Sequence, residues 1–112
     1  MRLSAIISGC DLKAVKLIDD TVEISSVYTS DLLSDVMAHC PDESILITVQ
    51  NHANTIAVAT LVGARAIVVV HNRPLPEDMQ TIAEREGISL LSSQDDQFTL
   101  SCRIGALLGC AH

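Results

Sequence analysis

Aromatic side chains are almost missing from this chain: it has no tryptophan, one tyrosine (Tyr28) and one phenylalanine (Phe98). Base stacking and aromatic cages around cationic ligands have little to be built from, so any binding surface must be aliphatic and polar. Lys and Arg number 7 against 14 Asp and Glu, a net charge of −7, and the basic residues nowhere gather into a run. The electrostatic footprint of a nucleic-acid binder is therefore missing, and an anionic membrane surface is an equally poor partner. The uncharged apolar runs are only strand-length, well short of the roughly 20 residues that cross a bilayer as a helix. Cys10, Cys40, Cys102 and Cys110 form no CxxC pair and lack the dense spacing of a small secreted scaffold. They read as free thiols, small hydrophobes in a reducing compartment. A metal set of Cys102, Cys110, His112 and His39 is the sharper alternative, but it lacks short ligand spacing and no metal is assigned. Ile7-Ser8-Gly9-Cys10 imitates a lipoprotein cleavage box. The apolar stretch before it is shorter than a secretory h-region of about 7 to 15 residues, so a cytoplasmic chain is expected.

Catalytic signatures are also lacking. There is no GxxxxGK[ST], which excludes a P-loop kinase or NTPase, and no GxGxxG after a strand. No GxSxG nucleophile turn occurs. His52 and His71 have acid–base chemistry, and Cys40 beside His39 imitates an activated thiol, yet sequence neighbours rarely face one another. Asp19-Asp20 and Asp95-Asp96 lack the loop pattern of a calcium site and suit a turn and a helix cap. The expectation is a protein that is not an enzyme and needs no cofactor.

What the chain does contain is regular. At 112 residues, 48% hydrophobic and 19% charged, it fits one globular domain spanning 1–112. A short helix over Ser4 to Gly9 precedes two β-favouring runs, 14–18 and 21–27, that predict a β-hairpin or two short edge strands. Ser30 is a candidate N-cap before the apolar stripe of Leu32, Leu33, Val36 and Met37, in a helix that ends near His39. Beyond Pro41, strands near 44–50, 66–71 and 88–92 alternate with helices over 54–61, which Asn54 would cap, and from Pro76 to a stop at Gly87. Asp95 or Asp96 caps a last helix with Leu100, Arg103, Ile104, Leu107 and Leu108 on one face. Unalternated apolar strands with helical crossovers imply parallel pairing. The fold class is therefore α/β, a three-layer-like domain with a small parallel sheet covered by helices.

In such a sheet, ligands collect beyond the carboxyl ends of the strands. Those ends carry Gln50, Asn51 and His52; His71, Asn72 and Arg73; and Ser92, Ser93 and Gln94. Amides, imidazoles, hydroxyls and one guanidinium suit an anionic or nucleotide-like ligand, although each cluster alone is also ordinary loop chemistry. Gln50, Asn51, His52, Asn72 and Ser92 are the candidate contacts, with Ser30 and Asp31 contributing a neighbouring helix start.

The run Tyr28-Thr29-Ser30-Asp31-Leu32-Leu33-Ser34-Asp35-Val36-Met37-Ala38, followed by Ile47-Thr48-Val49-Gln50-Asn51-His52-Ala53-Asn54-Thr55-Ile56-Ala57-Val58-Ala59, resembles the DRTGG domain family. So do Gly63-Ala64-Arg65-Ala66-Ile67-Val68-Val69-Val70 and the stretch from Ile88 to Ser93 leading into Phe98; the five-letter signature that names the family is absent. The resemblance, which extends to the N-terminal domain of HPr kinase/phosphorylase, implies a regulatory, non-catalytic α/β module. Such modules stand alone or sit in larger proteins, among them pyrophosphatases with adenine-nucleotide-binding regulatory domains. It further implies dimer contacts, and a setting near iron-only hydrogenases for stand-alone copies. The expected function is a homodimeric ligand-sensing module with an adenine-nucleotide-like effector. The alternative is a ligand-free interaction subunit that docks on a larger redox or phosphate-metabolism enzyme.

Overall fold

The computed structural model describes residues 1–109. In chain order the elements are α1 (Leu3–Gly9), β1 (Lys13–Lys16), β2 (Ser26–Thr29), α2 (Leu33–His39), β3 (Ser44–Thr48), α3 (Ala53–Val62), β4 (Ala66–Val69), α4 (Glu77–Glu86), β5 (Ser89–Ser92) and α5 (Gln97–Leu108). Strands β3, β4 and β5 are buried at every position, as unalternated apolar runs require when helices cover both faces of a sheet. They pair in parallel, Ile45 opposite Ala66 and Ala66 opposite Ser89. The crossover helices α3 and α4 stop at Gly63 (φ 81°) and Gly87 (φ 74°), whose left-handed backbone turns each glycine N–H onto the last carbonyls of its helix.

The two N-terminal β-favouring runs do not pair as a hairpin. β1 lies antiparallel to β5 and β2 parallel to β3, giving one sheet of five strands in the order β1-β5-β4-β3-β2. The edge strands, one on each side, are β1, which overlaps the first run at 14–16, and β2, which shares only Ser26 and Val27 with the second. A hairpin would leave the outer backbone groups of β3 and β5 unpaired beside their fully buried side chains; edge pairing satisfies both rows. The chain reverses between them through Asp19, whose carboxylate accepts from the Thr21 N–H (2.9 Å) and hydroxyl (2.6 Å). It then runs beside the N-terminus, where Leu3 N–H donates to Val22 and Ile24 N–H to Met1.

Two expected caps are also placed differently. Helix α2 starts at Leu33, and Ser30 Oγ accepts from Leu32 N–H (3.2 Å) just before it, while Asn54 lies inside α3, whose N-cap is His52. Asp96 does cap α5, accepting from Thr99 N–H at 2.7 Å.

The core is divided by the sheet. On one face α2, α3 and α4 contribute Val36, Ile56, Ala59, Met79 and Ala83 against Leu46, Ile67 and Leu90. On the other, α1 and α5 contribute Leu3, Ile6, Leu100 and Ile104 against Ile45, Ile47, Val68 and Leu91. The chain therefore leaves β4 toward one face and β5, its neighbour, toward the other. Divergence of adjacent crossovers opens a crevice at the carboxyl ends of the strands between them. The segment with the lipoprotein-like box belongs to this core, with Cys10 1% exposed. Among the described residues no helix is long and apolar enough to cross a membrane.

Candidate ligand-binding site

The carboxyl ends of the parallel strands form a surface with two unlike halves. Over β2 and β3 it is closed. Asp31 Oδ1 accepts from the Thr48 hydroxyl (3.1 Å), Val49 N–H (2.9 Å) and Gln97 Nε2 (2.7 Å), tying the end of β2 to β3 and to the first turn of α5. Gln50 Nε2 donates to the Asp31 carbonyl at 2.8 Å. One oxygen of the carboxylate ahead of α2 is thus turned inward and taken up by the fold.

Asn51 has a similar position. It is 6% exposed; its Nδ2 donates to the Pro74 carbonyl (2.7 Å) and its Oδ1 accepts from Arg73 (3.3 Å), clasping the loop that leads into α4.

Over β4 and β5 the surface is open. Because β1 runs antiparallel, it brings its first residue, Lys13, opposite Ser92 at the same end of the sheet. Two recesses meet there. One, of about 280 Å³, is lined by Cys10, Asp11, Ser93, Gln94, Asp95 and Arg103; the other, of about 220 Å³, by Val15, Arg73, Pro74, Leu75 and Gln80. Lys13, Asn72 and Ser92 line both. Cys10 belongs to the core on the α1/α5 face and Leu75 packs on the α2–α4 face, so the recesses lie on opposite faces with the shared residues as a ridge over the sheet end.

The charges in the first recess are mostly matched. Arg103 donates to Asp95 (2.7 Å), Asp11 (3.1 Å) and the Gly9 carbonyl (3.3 Å). Its hydrogen bond to Asp95, then that to Asp11, holds the guanidinium above its ordinary pKa. Cys10 behind it is pushed up by burial, which keeps it a neutral thiol. On the ridge the side chains are unmatched: Lys13 makes no ion pair among the described residues, and Ser92, a residue only 7% exposed, turns a hydroxyl without a protein partner among them toward solvent. The turn that presents Asn72 is held with φ of 61° at His71 and 51° at Asn72, closed by Arg73 N–H to Val70 (3.3 Å). Consecutive left-handed residues are rare outside Gly and Asn, and here Asn72 N–H to Ser93 (2.7 Å) and His71 N–H to Asp95 (3.0 Å) fix them.

Of the residues singled out from sequence, Asn72 and Ser92 come together on the ridge. Ser30, Asp31, Gln50 and Asn51 are engaged elsewhere, and His52 is exposed ahead of α3. Neither His52 nor His71 lines the recesses. His39 Nδ1 faces Asp35 Oδ1 (3.1 Å), while Cys40 meets the Ser44 hydroxyl and is pushed up by burial, so the two neighbours form no activated thiol. Among the described residues no group of three or more His, Cys, Asp or Glu is placed to hold a metal ion. Cys110 and His112 of the weighed metal set lie outside the described residues. Lys13 was not foreseeable locally, since its role depends on the antiparallel pairing of β1 with β5.

No protein-family model and no curated protein sequence matches the chain. Among solved structures it is similar to the CBS and DRTGG domains of the regulatory region of Clostridium perfringens pyrophosphatase, a structure complexed with the activator diadenosine tetraphosphate. The TM-score is 0.69 at 14% identity, covering 89% of this chain and 44% of that one. The chain thus spans less than half the length of that regulatory region, and at this identity the likeness speaks to the fold. In fold, the chain is a DRTGG-like α/β domain.

Proposed function

We propose that this chain is a regulatory, non-catalytic module that senses a small anionic or nucleotide-like ligand at the open carboxyl ends of β4 and β5. The observation that carries the reading is the ridge: a cation, a side-chain amide and the solvent-reached hydroxyl of an otherwise buried serine, none with a side-chain partner among the described residues, shared by two recesses at the sheet's crevice. Asn72 and Ser92 are the contacts, and Lys13 supplies the charge. The fold's occurrence in a nucleotide-activated regulatory region supports the same reading.

The module acts in the cytoplasm as a homodimer. Its exposed large apolar side chains, Phe98 (78%), Leu61 (73%) and Leu32 (64%), favour association. They are also the observation behind a second reading, a ligand-free subunit that docks on a larger enzyme. A thermal-shift series with inorganic phosphate, pyrophosphate and adenine nucleotides, with light scattering alongside, separates the two. A saturable upward shift that Lys13→Ala removes supports the sensor, because a ligand that binds only the native state raises its stability. A dimer that no anion shifts refutes it and favours docking.

A further inference from the structure

We infer that the site takes a phosphate-bridged ligand with two different arms: a phosphodiester or pyrophosphate diester carrying a hydroxyl-rich group on one side and a heterocyclic or apolar group on the other. This rests on the reading of the strand ends as a ligand site and says what kind of molecule fills it.

The ridge supplies the centre. Lys13, Asn72 and Ser92 offer an ammonium, an amide N–H and a hydroxyl, all able to donate to phosphoryl oxygens. Because the ridge runs over the end of the sheet, a group held there faces a recess on each side, of about 280 and 220 Å³. A ligand ending at its phosphate would fill neither.

The recesses differ in chemistry. In the first, Asp11 and Asp95 each accept from Arg103 through Oδ2, leaving their other oxygens without a hydrogen bond among the described residues, beside the Gln94 amide. Two carboxylates that share one guanidinium keep a net negative charge, so their free oxygens suit neutral donors such as sugar hydroxyls better than a second phosphate, which they would repel. In the second, Val15, Pro74 and Leu75 form an aliphatic wall beside the Arg73 guanidinium, and Gln80 is tied to the Leu75 carbonyl (2.8 Å). An apolar wall next to a planar cation suits a flat heterocycle where no aromatic side chain is at hand.

The test uses the whole chain and three probes in isothermal titration: inorganic pyrophosphate as the bare centre, ADP with one arm, and ADP-ribose with both. ADP-ribose is expected to bind about tenfold or more tightly than ADP, and ADP more tightly than pyrophosphate, as added hydrogen bonds and apolar contact require. Lys13→Ala should weaken all three by about tenfold or more. Asp11→Asn, at an exposed side chain, should weaken ADP-ribose alone, and Val15→Ala should weaken ADP and ADP-ribose but not pyrophosphate. Equal affinity for ADP and ADP-ribose, with Lys13→Ala still weakening both, overturns the two-armed ligand and leaves the anion site standing. Binding of none of the three, or binding indifferent to Lys13→Ala, overturns the two-armed ligand and the site together.

Discussion

Asp31 is where the sequence and the structure assign different roles to one residue, and its replacement separates them. As a ligand contact it could be changed at little cost to the fold. As the structure has it, its carboxylate accepts hydrogen bonds from Thr48, Val49 and Gln97, and Thr48 is fully buried. Asp31→Ala removes the acceptor from all of these donors; with water reaching some of them, the loss is about 3 kcal/mol. Asp31→Asn keeps one oxygen of the same shape but loses the charge, for a loss of about 1 kcal/mol. Against a domain stability of roughly 5–15 kcal/mol the first is large, and it should lower the melting temperature by about 10 °C or more. Urea denaturation followed by circular dichroism measures both, and the slope should stay constant because the surface exposed on unfolding is the same. Removing Gln97 as well should cost less than the sum of the single changes, since the pair is in direct contact. An Asp31→Ala protein within about 0.5 kcal/mol of the parent, the range of ordinary surface substitutions, refutes the clasp. So does an Asp31→Asn protein of full stability that has lost anion binding, which would return Asp31 to the ligand.

Tyr28 donates to Asp35 at 2.6 Å, and chiefly this bond pushes its phenol up to about 12. As the single tyrosine of a chain without tryptophan, it can be titrated by phenolate absorbance, and Asp35→Asn should bring the midpoint down toward the ordinary value of about 10. A raised folded pKa stabilises fully below the unfolded value and is lost as pH climbs from about 10 to 12, so Tyr28→Phe should flatten stability in that window; an unchanged alkaline profile refutes it. The helix-stop glycines should differ when changed to alanine. Both pay about 1–2 kcal/mol for a left-handed side chain, but at Gly63 the new Cβ also meets Asp42 Cβ at 3.1 Å while at Gly87 nothing lies within 4 Å. Equal losses on denaturation would mean that Asp42 moves freely aside. Ile67→Ala, at the centre of β4 with no exposure, should cost about 2–5 kcal/mol, whereas Leu61→Ala, 73% exposed on α3, should stay within about 0.5 kcal/mol in the monomer.

The middle of the fold is legible because its signals are local. Unalternated Ile, Leu and Val from Ser44 to Thr48 and from Ala66 to Val69, Gly63 and Gly87 at the stops, Pro76 ahead of α4 and Asp96 ahead of α5 each act within one turn of where they sit. The ends are not. Four residues of β-favouring sequence at Lys13–Lys16 fit either sheet edge equally well, and only the unsatisfied outer row of β5 selects between them. The same holds for the site. The strand-end loops were recognisable as a region, but Asn51 is occupied by Pro74 and Arg73, and Asp31 by Gln97, partners 22 to 66 positions away. Side-chain chemistry said what these residues can bind; only the chain path says what they already hold.

That path also explains why one half of the sheet end is open. Leaving β5, the chain crosses over the strand ends through Ser93 to Asp96 to lay α5 against β2 and β3 on the α1 face. At the far end of this crossing Gln97 reaches Asp31, and Ser101 Oγ meets Thr29 Oγ1 at 2.6 Å, sealing the β2/β3 half. At the near end the crossing departs from the face taken by the chain after β4, and the recesses beside Lys13, Asn72 and Ser92 lie there. The Arg103 ion pairs with Asp95 and Asp11 brace α5 against both the crossing loop and the segment between α1 and β1. A ligand on the ridge would touch β1 through Lys13, the end of β5 through Ser92 and the loop after β4 through Asn72. It would bridge three segments, and binding there is expected to stiffen β1, an edge strand with a register shift between Ala14 and Lys16, relative to the parallel core. Hydrogen exchange on β1 amides with and without pyrophosphate tests this coupling: protection confined to the loops, with β1 unchanged, would detach the edge strand from the site.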